Sequence, residues 1–117
     1  MITHTSAFLF GADIGKEVVD EGVTRQILGY NDQIMMVKVW FEQGAQGYLH
    51  HHFHSQVTYV ESGEFEVTVG EQTKRLGAGD CFFMKPNVCH GAVCIQDGVL
   101  IDVFSPVRED FLGGDQS

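Results

Sequence analysis

The sequence predicts an all-β fold of the jelly-roll kind, a single antiparallel barrel or sandwich, and three observations carry that reading. Strand-like runs recur every eight to twelve residues along the 117-residue chain, punctuated by Gly, Asn and Asp turn signals. No segment keeps a helical period for more than about three turns. The 44% hydrophobic content of a chain this long suffices for one core and not for two. We therefore expect one domain over residues 1–117, with 1–22 as an N-terminal arm and 105–117 as a C-terminal tail.

Taken in order, residues 1–10 suggest a short strand or an arm, and residues 11–22, GADIGKEVVDEG, a polar loop. Val23 to Tyr30 is the first clear strand, closed by Asn31 and Asp32. Arg25 within it is by default a surface cation, although a site for a carboxylated ligand would use it. Ile34 to Glu42 has an apolar odd face of Met35, Val37, Val39 and Phe41, and a mixed even face of Ile34, Met36, Lys38 and Trp40. Apolar residues on both faces predict burial on both sides, between sheets or against a second copy, so a homodimer is expected.

Farther along, Gln56 to Glu61 and Glu64 to Val69 read as two strands of a hairpin joined at Ser62-Gly63, with Phe65, Val67 and Val69 inward. A turn at 70–72, a short strand at 73–76 and a tight loop at 77–80 follow. The last strong strand is Gly98 to Pro106, and VREDFL after it suits a single helical turn. On that strand two arrangements compete. The odd face, Val99, Ile101 and Val103, is wholly apolar, so spacing favours it as the core side with Asp102 toward water. The opposite arrangement sends Asp102 and Phe104 into the barrel.

A formal charge of −9 with seven Lys and Arg argues against nucleic acid or an anionic membrane surface as a partner and favours a small ligand. The N-terminus lacks a basic region and a clear cleavage site, and no apolar run approaches the roughly twenty residues of a membrane helix. A cytoplasmic protein is expected. Cys81, Cys89 and Cys94 lack metal-site spacing and read as reduced thiols, small buried hydrophobes by default. Cys89 neighbours His90, but alternation places its side chain on the opposite face.

Chemistry concentrates in GAQGYLHHHFHSQVTYVESG, which holds four of the six histidines. If this stretch is a strand, His50 and His52 share a face and can share one metal ion, while His51 points away. Gln56 lies close enough to add an amide oxygen after a bend at Phe53 to Ser55. His90, in GAGDCFFMKPNVCHG, is available as a further ligand after a Pro-Asn turn signal.

These two clusters together resemble the paired motifs of the cupin superfamily, a double-stranded jelly-roll barrel. Gly44, His50, His52, Gln56 and Gly63 fall in the register of the first motif, with glutamine in place of the usual glutamate. In the second, Gly79 precedes His90 by eleven positions, while Lys85 stands at the usual proline and Asn87 at the usual glycine. Asn tolerates the left-handed backbone such a turn requires, so the turn can survive the change.

Within the cupins, the chain looks like the KdgF pectin-degradation family, which linearises unsaturated uronates. The similarity runs from Gly22 to Leu112 and is carried by VTRQILGYNDQIMMVKVWFEQGA, HSQVTYV, GAGDCFFMKPNVCHGAVC and the tail GVLIDVFSPVREDFL. The resemblance implies one divalent ion held by His50, His52, Gln56 and His90, with Ni, Mn, Fe, Co and Zn all compatible. It also implies activity-linked roles for Asp102, Phe104 and Arg108: proton transfer, packing of the sugar, and a grip on the substrate carboxylate. By default Arg108 is instead a surface partner of Glu109 or Asp110. His54 is either a reserve ligand or a hydrogen-bonding partner behind the ligands, and we favour the partner.

The implied reaction is ring opening of 4,5-unsaturated monouronates to linear 5-keto-4-deoxyuronate. A non-haem dioxygenase on the same scaffold is the main alternative, although such sites commonly keep a carboxylate ligand and Gln56 is an amide. A non-catalytic sugar-binding cupin is the other.

Overall fold

The computed structural model describes residues 4–113, so the outermost parts of the expected arm and tail, residues 1–3 and 114–117, lie outside it. Eight strands account for the fold: β1 (Glu17–Asp20), β2 (Val23–Tyr30), β3 (Met35–Phe41), β4 (Gln46–His50), β5 (Ser55–Val69), β6 (Gln72–Gly77), β7 (Cys81–Met84) and β8 (His90–Ser105). Every pairing is antiparallel, in the order β1-β2-β3-β8-β5-β6, with β4 added on β8 and β7 on β5. The expected all-β jelly roll is the observed fold.

Two long strands make the barrel. The second half of β8 pairs with β3 and the first half of β5, whereas its first half pairs with β4 and the second half of β5. One wall is therefore β1-β2-β3-β8-β5-β7 and the other β4-β8-β5-β6, with β5 and β8 shared between them. The expected hairpin at Ser62-Gly63 is replaced by a bend inside a continuous 15-residue strand. Register skips cluster there: Val60 lies opposite Leu100, Ser62 opposite Val99, and Glu64 opposite Gln96. Gly63 has φ 83°, and a Cβ on it would collide with Gly98 Cα and the carbonyls of Gln96 and Asp97. Two glycine-bearing strands thus cross at contact distance, and because β8 keeps pairing on both sides, β5 bulges rather than reverses.

The bulge also switches parity. Before it the even positions Gln56, Thr58 and Val60 are buried, and after it the odd positions Phe65 and Val67. The core gathers Met35, Val37, Val60, Phe65, Cys94, Leu100 and Phe104, with Phe41 set edge-on to Phe65 at 5.3 Å between centroids. Burying each such side chain stabilises by about 1.5–3 kcal/mol, so a one-residue slip that turned them outward is strongly disfavoured.

On β8 the inward side is the even one, against the spacing-based expectation. Leu100 and Phe104 are buried and Asp102 shares their face, whereas Val99, Ile101 and Val103 are half-buried on the outside. Their apolar character belongs to an outer surface. Met36, Val103, Val57 and Phe83 form one cross-strand row over β3, β8, β5 and β7, and Lys38, Ile101, Tyr59 and Cys81 form the next.

Three smaller expectations change. Residues 11–22 contain a 3-10 turn at Gly11–Asp13 and the edge strand β1, whose four residues are all exposed and so show no burial alternation to read. Cys81 and Cys89 are exposed and only Cys94 is buried. The strand Gly98 to Pro106 is the second half of β8, which starts at His90. The expected tail turn is present as a 3-10 helix at Glu109–Leu112. Among the described residues no helix is long and apolar enough to cross a membrane.

Candidate functional site

The histidine-rich stretch is not one straight strand. β4 ends at His50 and β5 begins at Ser55, so His52 sits in the bend between them. Convergence comes from pairing instead: His50 lies opposite His90 in the β4–β8 register, and the bend brings His52 alongside. Asn87 N–H donates to His52 O at 2.7 Å, with Asn87 itself at φ 66°, the left-handed turn its side chain was expected to tolerate. One ring nitrogen from each of His50, His52 and His90 falls within 4.8 Å of the others. His51 is exposed.

Each of the three rings is oriented by a backbone carbonyl. His50 Nδ1 donates to Tyr48 O at 2.7 Å, His52 Nδ1 to His54 O at 3.1 Å, and His90 Nδ1 to Val88 O at 2.9 Å. Donation from Nδ1 leaves each Nε2 as a lone-pair acceptor. Burial pushes His90 down to about 4 and lowers His52 as well, so both are neutral near pH 7. His54 is buried, and its Nε2 donates to Val107 O at 3.1 Å while its carbonyl orients His52. Its side chain thus bonds Val107, and only its backbone meets His52.

A cavity of about 300 Å³ opens beside the rings of His50 and His90. Asp102 and Phe104 reach it from β8 and Arg108 from the segment before the tail turn, while Val37, Val39 and Leu100 supply apolar wall. Burial raises the Asp102 carboxyl to about 6, against opposing pulls from Thr58, Arg108 and Gln56. Thr58 Oγ1 donates to Asp102 Oδ1 at 2.7 Å, and Gln56 Nε2 donates to Thr58 Oγ1 at 2.8 Å. Arg108 makes the expected pair with Asp110, through Nε at 3.1 Å and Nη2 at 2.9 Å. Even so its guanidinium lies over the rings of Phe111 and Phe104, 4.3 and 5.1 Å from their centroids.

Against known proteins, the cupin domain family model matches residues 37–104. The pectin degradation protein KdgF of Dickeya dadantii (strain 3937) is 43% identical over 98 residues, 82% of this chain and 89% of that protein. This chain belongs to the cupin family, in its KdgF branch. Among solved structures, KdgF from Halomonas sp. superposes with a TM-score of 0.87 at 37% identity, over 92% of this chain and 99% of the other. An RmlC-like cupin from Shewanella frigidimarina NCIMB 400 matches with a TM-score of 0.91 at 52% identity, over 93% and 98% of the two chains.

The side chains of this cupin fit a bound cation. His90 Nε2 is buried with no hydrogen-bond partner. His52 Nε2 stands 2.9 Å from Gln56 Oε1. With the His52 proton on Nδ1 and the Gln56 amide nitrogen engaged by Thr58, both facing atoms are acceptors, a pairing that only a shared cation or proton makes favourable. Ring nitrogens of three histidines within 4.8 Å of one another, with the Gln56 amide oxygen 2.9 Å from one of them, suit a divalent transition ion.

Two contributors went unassigned in the sequence. Thr58 shares the inward parity of Gln56 and lies opposite Asp102 in register, a neighbour that strand pairing alone reveals. Arg25, left open between surface and site, lines the cavity, with Nε donating to Glu17 Oε1 at 2.7 Å and its guanidinium 4.1 Å from the Phe111 centroid. Carboxylate recognition was the signal that could have placed it.

Proposed function

We propose that this cupin opens the ring of 4,5-unsaturated monouronates from pectin and alginate breakdown, giving linear 5-keto-4-deoxyuronate, with one divalent transition ion held by His50, His52, Gln56 and His90. One observation carries the reading. In a chain of charge −9, two of the three arginines, Arg25 and Arg108, line the same cavity as Asp102, His50 and His90. Cations gathered at one cavity of an acidic protein favour an anionic ligand. Both KdgF relatives support the same substrate class.

In the reaction the C1 hydroxyl proton is removed as the bond from C1 to the ring oxygen breaks. The ring oxygen departs as a C5 enol, and protonation at C4 yields the ketone with no net redox change. Asp102 is the group that moves the proton, since a carboxyl near 6 both accepts and returns one close to neutral pH. Its Oδ1 is held by Thr58, which leaves Oδ2 for the substrate. Arg108 grips the sugar carboxylate or steadies the enolate, and Phe104 packs the ring. The ion, when bound, supplies Lewis-acid polarisation of a substrate oxygen, and Mn, Fe, Co, Ni and Zn all suit the donors.

The test is incubation of purified protein with an unsaturated monouronate in an oxygen electrode. Loss of the C4=C5 absorbance without oxygen uptake is expected. Oxygen consumption would move the assignment to a dioxygenase, and a thermal shift with sugar but no turnover to a binding module.

Gln56→Glu is expected to bind the ion as tightly or more tightly yet open the ring more slowly, because a carboxylate neutralises part of the charge that polarises the substrate. Metal titration and turnover on the same sample check this. Parental turnover in that variant would refute the argument from ligand charge.

We also propose that two copies pair across the outer apolar rows and that the protein works in the cytoplasm. Met36, Val57 and Phe83 in one row are 41%, 43% and 56% exposed, and Tyr59 in the next is 47% exposed. The double substitution Val57→Glu and Phe83→Glu should shift sedimentation from dimer to monomer. A parent that already sediments as a monomer contradicts the pairing.

A further inference from the structure

We infer that Thr58 is the positioning residue that ties the metal-facing amide of Gln56 to the carboxylate of Asp102. The inference rests on the metal assignment above. Thr58 is fully buried, and a buried hydroxyl is costly unless bonded. Here both of its capacities are used. It accepts from Gln56 Nε2 at 2.8 Å and donates to Asp102 Oδ1 at 2.7 Å.

The consequence falls on Gln56, whose amide has nearly the same shape in its two flipped states, so only its partners select one. In the observed state the amide nitrogen faces Thr58 and, at 3.5 Å, Asp102 Oδ1, while Oε1 faces His52. Flipped, Oε1 would face the Asp102 carboxylate and the Thr58 oxygen, and with an ion in the cluster the amide N–H would be turned toward that cation in place of a lone pair. Thr58 and Asp102 therefore make the orientation one-way. Register builds this arrangement directly, since Thr58 lies opposite Asp102 and Gln56 opposite Phe104 on the same inward face. One hydroxyl thus serves both halves of the centre, turning the amide oxygen to the ligand cluster and pinning one carboxylate oxygen so that the other is left for the substrate.

The test uses cobalt(II) alone, with its dissociation constant measured by chelator competition in the absence of substrate, so the outcome does not depend on the ring-opening assignment. Thr58→Val, nearly isosteric, should weaken cobalt binding by about 10- to 100-fold, the usual effect of removing a group that orients a ligand. Thr58→Ser, which keeps the hydroxyl, should restore binding close to the parent. In a Gln56→Ala background Thr58→Val should add nothing, because Thr58 acts through the amide. With uronate, Thr58→Val should lower kcat while KM stays near the parental value. If Thr58→Val does not fold, Thr58→Ala serves the same comparison. Parental cobalt affinity in the valine or alanine variant overturns the inference, as does an undiminished loss in the Gln56→Ala background. A parent that binds no cobalt(II) overturns the metal assignment together with it.

Discussion

Asp102→Asn is expected to leave a folded, metal-loaded protein whose turnover of an unsaturated monouronate falls at least about a hundredfold. Asparagine keeps the size and polarity of aspartate and can still accept from Thr58, so the hydrogen bond at 2.7 Å need not be lost. What disappears is the ability to hold and release a proton. Positioned proton-transfer groups typically contribute about 10²- to 10⁴-fold in rate, which sets the size of the effect. A surface aspartate would behave otherwise, since substitutions away from core and site usually change stability by about 0.5 kcal/mol or less and leave chemistry untouched. Steady-state rates beside metal content and melting temperature separate the two cases. Near-parental turnover would leave ring opening without its proton carrier.

Alanine at His52 or at His90 is expected to strip most of the ion, while alanine at His51 changes nothing. The contrast is severe because residues 50–52 are three histidines in a row, and composition cannot tell them apart. Geometry can. His52 and His90 offer ring nitrogens to the shared cluster, and His51 is exposed and outside it. Loss of one of four donors removes a large part of the binding free energy, and turnover should fall with metal content. Elemental analysis of the purified variants checks this. Unchanged metal in His90→Ala would defeat the ligand assignment, and depletion in His51→Ala would show that the stretch holds metal by composition rather than by arrangement.

How much of this was legible in the sequence depended on what each signal physically reports. The histidine spacing was readable because it needs only local geometry plus one cross-strand pairing, and the expected bend after Phe53 is present, although the strand stops at His50, short of His52. Asn87 was readable for a similar reason, since its left-handed turn depends on its own side chain and backbone. Ser62-Gly63 was misread as a reversal because a glycine signals backbone freedom without saying whether the chain turns back or bulges. Here Gly98 in the partner strand decides. On β8 the alternation pointed the wrong way, since the outer surface is apolar too and Val99, Ile101 and Val103 look more core-like than a face containing Asp102. The resemblance to the KdgF family, carried by the tail, turned Asp102 inward where periodicity could not. Arg25 and Thr58 were beyond local reading, because their partners lie 8 and 44 positions away along the chain.

The central claim is that the histidine cluster, once loaded, opens an unsaturated uronate ring with help from Asp102. Following the reaction in D₂O by proton NMR tests it most directly, with metal-loaded protein, metal-stripped protein and Asp102→Asn side by side. The loaded parent should convert the C4 vinyl signal into a C4 methylene carrying one deuterium beside a new ketone, far faster than either control. A vinyl signal that decays at the same rate in all three samples would contradict the account.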